Sequence, residues 1–286
     1  MVLYFGDPRG ALALLARGVP LVGVVHGRRG GPGRQALTPR IAHLPRWTLP
    51  ELEDPDVVSA LRALAPRLIV AAFYPRRIPA GVLALAPGLN VHPSPLPRFR
   101  GPDPCAWSIR AGDAETQVCV QWLALGLDEG DVLRRTPMAI KPRDTAGTLA
   151  ERCEALGAAL IADVAVEVLA GRTPRAEAQV GEVVWAPLLA PNDAEIDWTR
   201  PADEVDRFVR AASPHPGAFT GIGDETVGVL AASPAEAGRF DALPAGTPFV
   251  RGGEAFVKCG QGALRLDRVR LGTQTLTAAR FAELLV

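Results

Sequence analysis

Apolar residues cluster in short runs near the start of the chain. VLYF at 2–5 ends at Gly6, and PLVGVV at 20–25, LIVAAF at 68–73 and LNVH at 89–92 follow, the last entered from a Pro-Gly turn at 87–88. Each run reads as a buried strand. Between them, RGALALLAR at 9–17 has helical composition, and PDVVSALRALA at 55–65 suits a helix closed by Pro66. This strand–helix rhythm predicts a mostly parallel sheet covered by helices.

The pattern changes at Thr116. TQVCVQWLAL and DVLRRTPMAI read as extended segments, and then 145–171 repeats apolar positions at three- and four-residue spacing, a long helix with Gly171 as its stop. Residues 173–200 carry few periodic signals and read as a linker. Residues 201–286 hold a helix at 202–212 and short strands with Gly-rich turns, such as AFVKCGQGALRLDRV, which fits a small β-barrel. The expected division is 1–172, 173–200 and 201–286.

Charge narrows the partners. Lys plus Arg equals Asp plus Glu at 31 each, so any polyanion site must be a local patch. One such patch exists: Arg28, Arg29, Arg34, Arg40 and Arg46 lie between His26 and Trp47 with no acid among them. Residues 201–286 do not extend it, with nine basic and ten acidic side chains. Cys105, Cys119, Cys153 and Cys259 form no C-x-x-C pair and no zinc-ligand spacing, so no metal is expected. The N-terminus lacks a basic start followed by an apolar core, and no apolar run approaches the ~20 residues that span a bilayer. A cytoplasmic protein without a membrane partner is the expectation. Neither a G-x-G-x-x-G fingerprint, a G-x-S-x-G elbow nor a Walker-type loop occurs.

The densest chemistry lies in NVHPSPLPRFRGPDPCAW at 90–107. Asn90 and His92 are two apart at a strand end and share a face. Five prolines within 93–104 restrict the loop that follows. A second polar node, LGLDEGDVL at 125–133, puts Asp128 in a Gly-flanked turn between two extended segments. A carboxylate beside His92 would fix its tautomer and stabilise its charged form, and an Asn amide could donate to a developing oxyanion. That set suits acyl-type transfer to an amine. A capped strand end and an ordinary Asp turn account for the same residues if the two nodes do not meet.

NVHPSPLPRFRG resembles the N-x-H-x-S-L-L-P-x-[YW]-R-G signature of the folate-dependent formyltransferase family, and GLDEGDVL resembles its L-D-x-G-x-[IV] element. IDWTRPADEVDRFVRAASPHPGAF and CGQGALRL are similar to stretches of the C-terminal domain in the family's tRNA and sugar enzymes. The resemblance implies an α/β fold: a Rossmann-like, mostly parallel sheet with helices on both faces, then a small open β-barrel. It implies 10-formyltetrahydrofolate as co-substrate without a metal. By position, Asn90, His92 and Asp128 match the catalytic residues, with His92 as general base, Asn90 as oxyanion donor and Asp128 orienting His92. Ser94, Pro95, Leu96 and Pro97 match the folate loop. Arg77, Ile78 and Pro79 match the pterin side of the pocket, with Ala124, Leu125, Gly126 and Leu127 closing over the ring. The chain departs from the pattern at Pro95, at Thr116–Cys119 and at His215.

The segment after the second strand leaves little room for the helix that the tRNA enzymes carry there. With no excess of basic charge in 201–286, this favours a small phosphate-bearing acceptor, such as a nucleotide-linked amino sugar, over the alternative of methionyl-tRNA. A formyl-folate hydrolase and an inactive folate-binding protein complete the set.

Overall fold

The computed structural model describes residues 1–27 and 33–285. The chain divides into two compact units. The first comprises Met1–Pro104, Glu115–Ala139 and Ala150–Ala186, and the second Cys105–Ala114, Ile140–Leu149 and Pro187–Val286.

The first unit is built on a seven-stranded sheet among the described residues. In chain order its strands are β1 (Val2–Gly6), β2 (Leu21–His26), β3 (Arg46–Thr48), β4 (Leu68–Ala72) and β5 (Gly88–His92), then, after the short β6 (Arg98–Arg100), β7 (Glu115–Trp122) and β8 (Val132–Ala139). Across the sheet the order is β3-β2-β1-β4-β5-β7-β8. The first five are parallel, while β7 runs antiparallel to β5, and β8 to β7. A separate parallel pair joins β6 to β9 (Val184–Trp185). All five residues of β1 and of β4 are buried, which is why these strands read as unbroken apolar runs.

Helices α1 (Pro8–Ala16) and α3 (Pro55–Ala63) start in the same way. Asp7 and Asp54 accept backbone N–H groups two residues ahead, and each is followed by Pro, whose missing N–H costs nothing in a first turn. One face of the sheet packs Leu3, Phe5, Ile69 and Ala71 against Leu61 of α3 and Val82 of α4 (Ala80–Leu83). Between β2 and β3, where the sequence leaves little room for a helix, seven residues form one nonetheless: α2 (Arg34–Arg40). Leu37, fully buried, anchors it, and Pro39 removes a single N–H from a helix under two turns long. The helices α5 (Pro104–Ala111) and α6 (Ala146–Leu169) follow later in the chain.

The second unit carries α7 (Ala202–Ala211), α8 (Ala278–Ala282) and a curled antiparallel sheet of β10 (Phe219–Ile222), β11 (Glu225–Ala235), β12 (Pro248–Arg251), β13 (Glu254–Lys258), β14 (Ala263–Leu271) and β15 (Gln274–Thr277). Val205 and Val209 of α7 join Val227, Val229, Leu264 and Leu266 of the strands in its core. This open half-barrel is the small β domain that the Gly-rich turns predict.

Candidate active site

The antiparallel pairing of β5 with β7 builds the site. Its register sets Asn90 opposite Gln121 and His92 opposite Cys119. Residues two apart share a face, so these four side chains stand together. The extended segment predicted to run to Leu125 stops at Trp122 instead. There the Leu123 N–H turns to the Gly88 carbonyl at 2.7 Å. Gly88 is the first residue of β5, so the β7–β8 turn reaches Asn90 from the far end of that strand. A Cβ on Gly130 would overlap the Trp122 carbonyl oxygen, so the turn closes only with glycine there. Asp128 occupies the left-handed region at φ 55°, unusual for a residue with a side chain.

Asp128 is the hub. Its Oδ1 accepts the amide N–H groups of Asn90 at 3.2 Å and Gln121 at 3.0 Å. Its Oδ2 accepts the Gly101 backbone N–H at 3.1 Å and lies 3.5 Å from His92 Nδ1. Three N–H donors converging on one side chain fit the acceptor-only carboxylate form. The two distant nodes of the sequence therefore meet.

The imidazole of His92 is fixed at its other nitrogen. Nε2 lies 2.8 Å from the Phe99 carbonyl oxygen, which can only accept, so the hydrogen of the neutral ring sits on Nε2. Nδ1 is then the single basic nitrogen, and it faces the carboxylate. Asn90 uses one hydrogen of its amide on Asp128 and keeps a second.

The segments that the resemblance matches to the carrier are pinned by hydrogen bonds of their own. Ser94 Oγ donates to the Arg98 carbonyl at 2.8 Å, Cys119 Sγ donates to the Ser94 carbonyl at 3.0 Å, and Arg135 Nη1 donates to the Leu96 carbonyl at 2.8 Å. These contacts hold the 94–97 loop, in which Pro95 is half-buried while Leu96 and Pro97 are buried. Burial pushes the Cys119 thiol above its usual range, so it acts here as a neutral donor. Arg77 Nη2 donates to the Leu125 carbonyl at 2.6 Å, tying the 77–79 segment to residues 124–127. Ile78 is buried and Pro79 half-buried, while Ala124 and Gly126 are partly covered. Leu125 and Leu127, by contrast, are 57% and 44% exposed on the turn that carries Asp128. Apolar side chains thus lie open beside a polar cluster, a combination common in small-molecule sites.

The strand end of β2 differs. His26 is buried, and its Nδ1 has no partner among the described residues. Burial first, then the charges of Arg34 and Arg46, pushes it down from 6.5 to about 4. Of the arginine patch, Arg28 and Arg29 lie outside the described residues; Arg34 opens α2, Arg40 ends it, and Arg46 starts β3. Among the described residues, no group of His, Cys, Asp and Glu is placed to hold a metal ion. No described helix is long and apolar enough to cross a membrane.

Comparison with known proteins decides the family. Residues 27–165 match "Formyl transferase" and residues 188–284 match "Formyl transferase, C-terminal domain". A methionyl-tRNA formyltransferase of Anaeromyxobacter dehalogenans is 36% identical over 94% of this chain and 92% of its own length. The chain belongs to the formyl transferase family. It is accordingly a 10-formyltetrahydrofolate-dependent N-formyltransferase. A methionyl-tRNA formyltransferase of Phenylobacterium zucineum is 40% identical over 79% of this chain and 74% of its own length. Among solved structures, an N-formyltransferase of Helicobacter canadensis, in complex with folinic acid and dTDP-3-aminofucose, superposes with a TM-score of 0.67. It has 13% identity over 93% of this chain and 98% of that one, a likeness of fold. The near relatives thus favour the methionyl-tRNA alternative over the amino-sugar acceptor that the charge pattern favours.

Gln121, Gln179, Gly101 and Arg135 were missed in the sequence. Gln121 had a signal, a polar residue at an inward position of an apolar strand. Gln179 had none, since it lies where periodicity fails.

Proposed function

We propose that this formyltransferase acts on the amino group of methionyl-tRNA, through Asn90, His92 and Asp128. The observation that carries the chemistry is the Asp128 carboxylate, which receives Asn90 and Gln121 on one oxygen and faces His92 Nδ1 with the other. His92 Nδ1 takes the proton from the attacking amine, Asp128 stabilises the resulting imidazolium, and the imidazolium returns that proton to the carrier nitrogen as its bond to the formyl carbon breaks and tetrahydrofolate leaves. Asn90 offers its second amide hydrogen to the oxygen that gains charge on the formyl group. Ser94, Pro95, Leu96 and Pro97, with Arg77, Ile78 and Pro79, hold the carrier, while Ala124, Leu125, Gly126 and Leu127 cover its ring. Residues 1–172 supply the catalytic domain and 201–286 the C-terminal domain, joined by 173–200.

The acceptor follows the relatives that share a third or more of their residues over most of the chain. A nucleotide-linked amino sugar is the second reading, favoured by the absence of excess basic charge in 201–286. The test follows tetrahydrofolate release from 10-formyltetrahydrofolate with methionyl-tRNA, with amino-sugar nucleotides and with no acceptor. Turnover of methionyl-tRNA, with kcat/KM falling steeply between roughly 50 and 200 mM salt, supports the first reading, because many phosphates then contribute. Turnover of an amino sugar with a shallow salt dependence replaces it. Equal release without any acceptor marks a hydrolase.

A further inference from the structure

Beyond the residues matched to the family, one side chain outside the predicted site holds the Asp128 turn in shape. We propose that Gln179 is a positioning residue for formyl transfer, acting through the backbone of Asp128. The proposal rests on the role given to Asp128 above.

Gln179 stands on the chain after α6, and its amide is fully engaged. Nε2 donates to the carbonyl oxygens of Asp128 and Gly130, both at 2.8 Å, with Gln121 Oε1 further off at 3.2 Å. Oε1 accepts from Arg100 twice, from Nε at 3.1 Å and Nη2 at 2.8 Å. The stretch that carries it is itself registered on the sheet, since Glu177 and Val132 exchange backbone hydrogen bonds at 2.8 and 2.9 Å. Gln179 is thus held from two sides before it reaches the turn.

These contacts close a ring. Arg100 fixes the amide oxygen of Gln179, whose amide nitrogen fixes the Asp128 backbone. The next residue after Arg100, Gly101, gives its N–H to the Asp128 carboxylate. Both the backbone and the side chain of Asp128 are therefore referred to the end of β6 and the residue just after it. Two carbonyls separated by one residue point at a single amide group, and the residue that starts this arrangement has a left-handed backbone. Without the amide, the two carbonyls lose their shared donor. The turn can then relax, and the carboxylate shifts relative to His92 Nδ1. A shift of about 1 Å at a reacting group is enough to cost roughly a hundredfold in rate.

A mere tether would hold residues 173–186 on the sheet without touching the chemistry, and the two roles separate experimentally. Gln179→Met keeps the bulk and removes every hydrogen bond, while Gln179→Glu keeps an acceptor for Arg100 and removes the donors to the two carbonyls. The proposal expects both variants to lower kcat by roughly 10- to 100-fold, with KM for 10-formyltetrahydrofolate within about threefold and cooperative thermal unfolding retained. It also expects coupling. In an Asp128→Asn background, Gln179→Glu should cost less than a threefold further loss, because its effect runs through that residue. A 15N spectrum of the His92 ring in Gln179→Met, taken without substrates, should move relative to the wild type. An unchanged kcat in both variants overturns the proposal, as does a full additional loss on top of Asp128→Asn, or a His92 spectrum that stays put. Should either variant fail to unfold cooperatively, the other decides by the same criteria, and failure of both assigns Gln179 to the fold and overturns the proposal. A wild-type enzyme that transfers formyl to no amine would instead remove the reading on which the proposal rests.

Discussion

His26 and His92 each end a parallel strand of the same sheet, and they are 3% and 5% exposed. Their surroundings oppose one another. His92 has an acceptor at each nitrogen, the Phe99 carbonyl at one and the Asp128 carboxylate at the other. His26 has no partner at Nδ1 among the described residues and two arginine charges nearby, and it is pushed down to about 4. Burial is common to both, so burial does not make a histidine a proton carrier. What the neighbours offer decides it. One strand end sets acceptors at both ring nitrogens, and the other keeps its ring neutral among cations.

The sharpest way to break this contrast is to delete each ring. His92→Ala should lower kcat by about 10²–10⁴-fold, with the protein folded and still binding a 10-formyl-folate analogue by calorimetry. His26→Ala should leave kcat within a few-fold. Equal losses from the two would mean that the partners of His92 give it no special part in the reaction.

Next in size is Asp128→Asn, which keeps the shape and removes the charge that faces Nδ1. A loss of roughly a hundredfold in kcat is expected, with KM for the carrier nearly unchanged. A rise in KM at constant kcat would move Asp128 from the chemistry to carrier binding.

A smaller effect is expected at the other strand end. Arg34→Gln should raise KM for a phosphate-bearing acceptor several-fold and spare carrier binding, if this strand end meets the acceptor away from the reacting amine. Steady-state kinetics at one salt concentration checks it, and a change confined to kcat would contradict it.

The smallest effect is on stability. The pKa of His26 in the folded protein lies below its ordinary value, so the unfolded chain binds the proton more readily. Its contribution to stability is therefore fully present above pH 6.5 and is lost as pH falls from 6.5 towards about 4. Urea midpoints at pH 7 and pH 5 should draw apart more in the wild type than in His26→Gln. Parallel shifts in both would show that His26 titrates normally.

Much of the catalytic half was legible. β1, β2, β4 and β5 were written as apolar runs, and α6 as a long periodic segment, because continuous burial and a regular helix leave their period in the composition. Asn90, His92 and Asp128 stood out as polar residues among prolines and glycines. The elements that went unread were set by tertiary contacts. β3 is three residues of RWT on a sheet edge, and α2 survives on a single fully buried leucine. Gln179 sits in a stretch with no period, and its meaning depends on two carbonyls that lie about fifty residues earlier in the chain. The charge argument for a small acceptor carries little weight for a related reason. A net charge counted over 201–286 carries no information about where on the surface those charges lie.

The β5–β7 register has a consequence in time. Asn90 and Asp128 are 38 residues apart in the chain, and Gln179 lies a further 51 beyond Asp128. Slipping β7 by one residue would turn Gln121 and Cys119 to the opposite side of the sheet. No early, local event in folding can assemble this cluster, because long loops must close before its contacts form. Enzyme activity is then a late signal of folding. When the protein refolds from urea, recovered turnover should trail the return of helical circular dichroism. If the two recover together, the register is fixed as early as the helices, and the site is present from the first compact state onward.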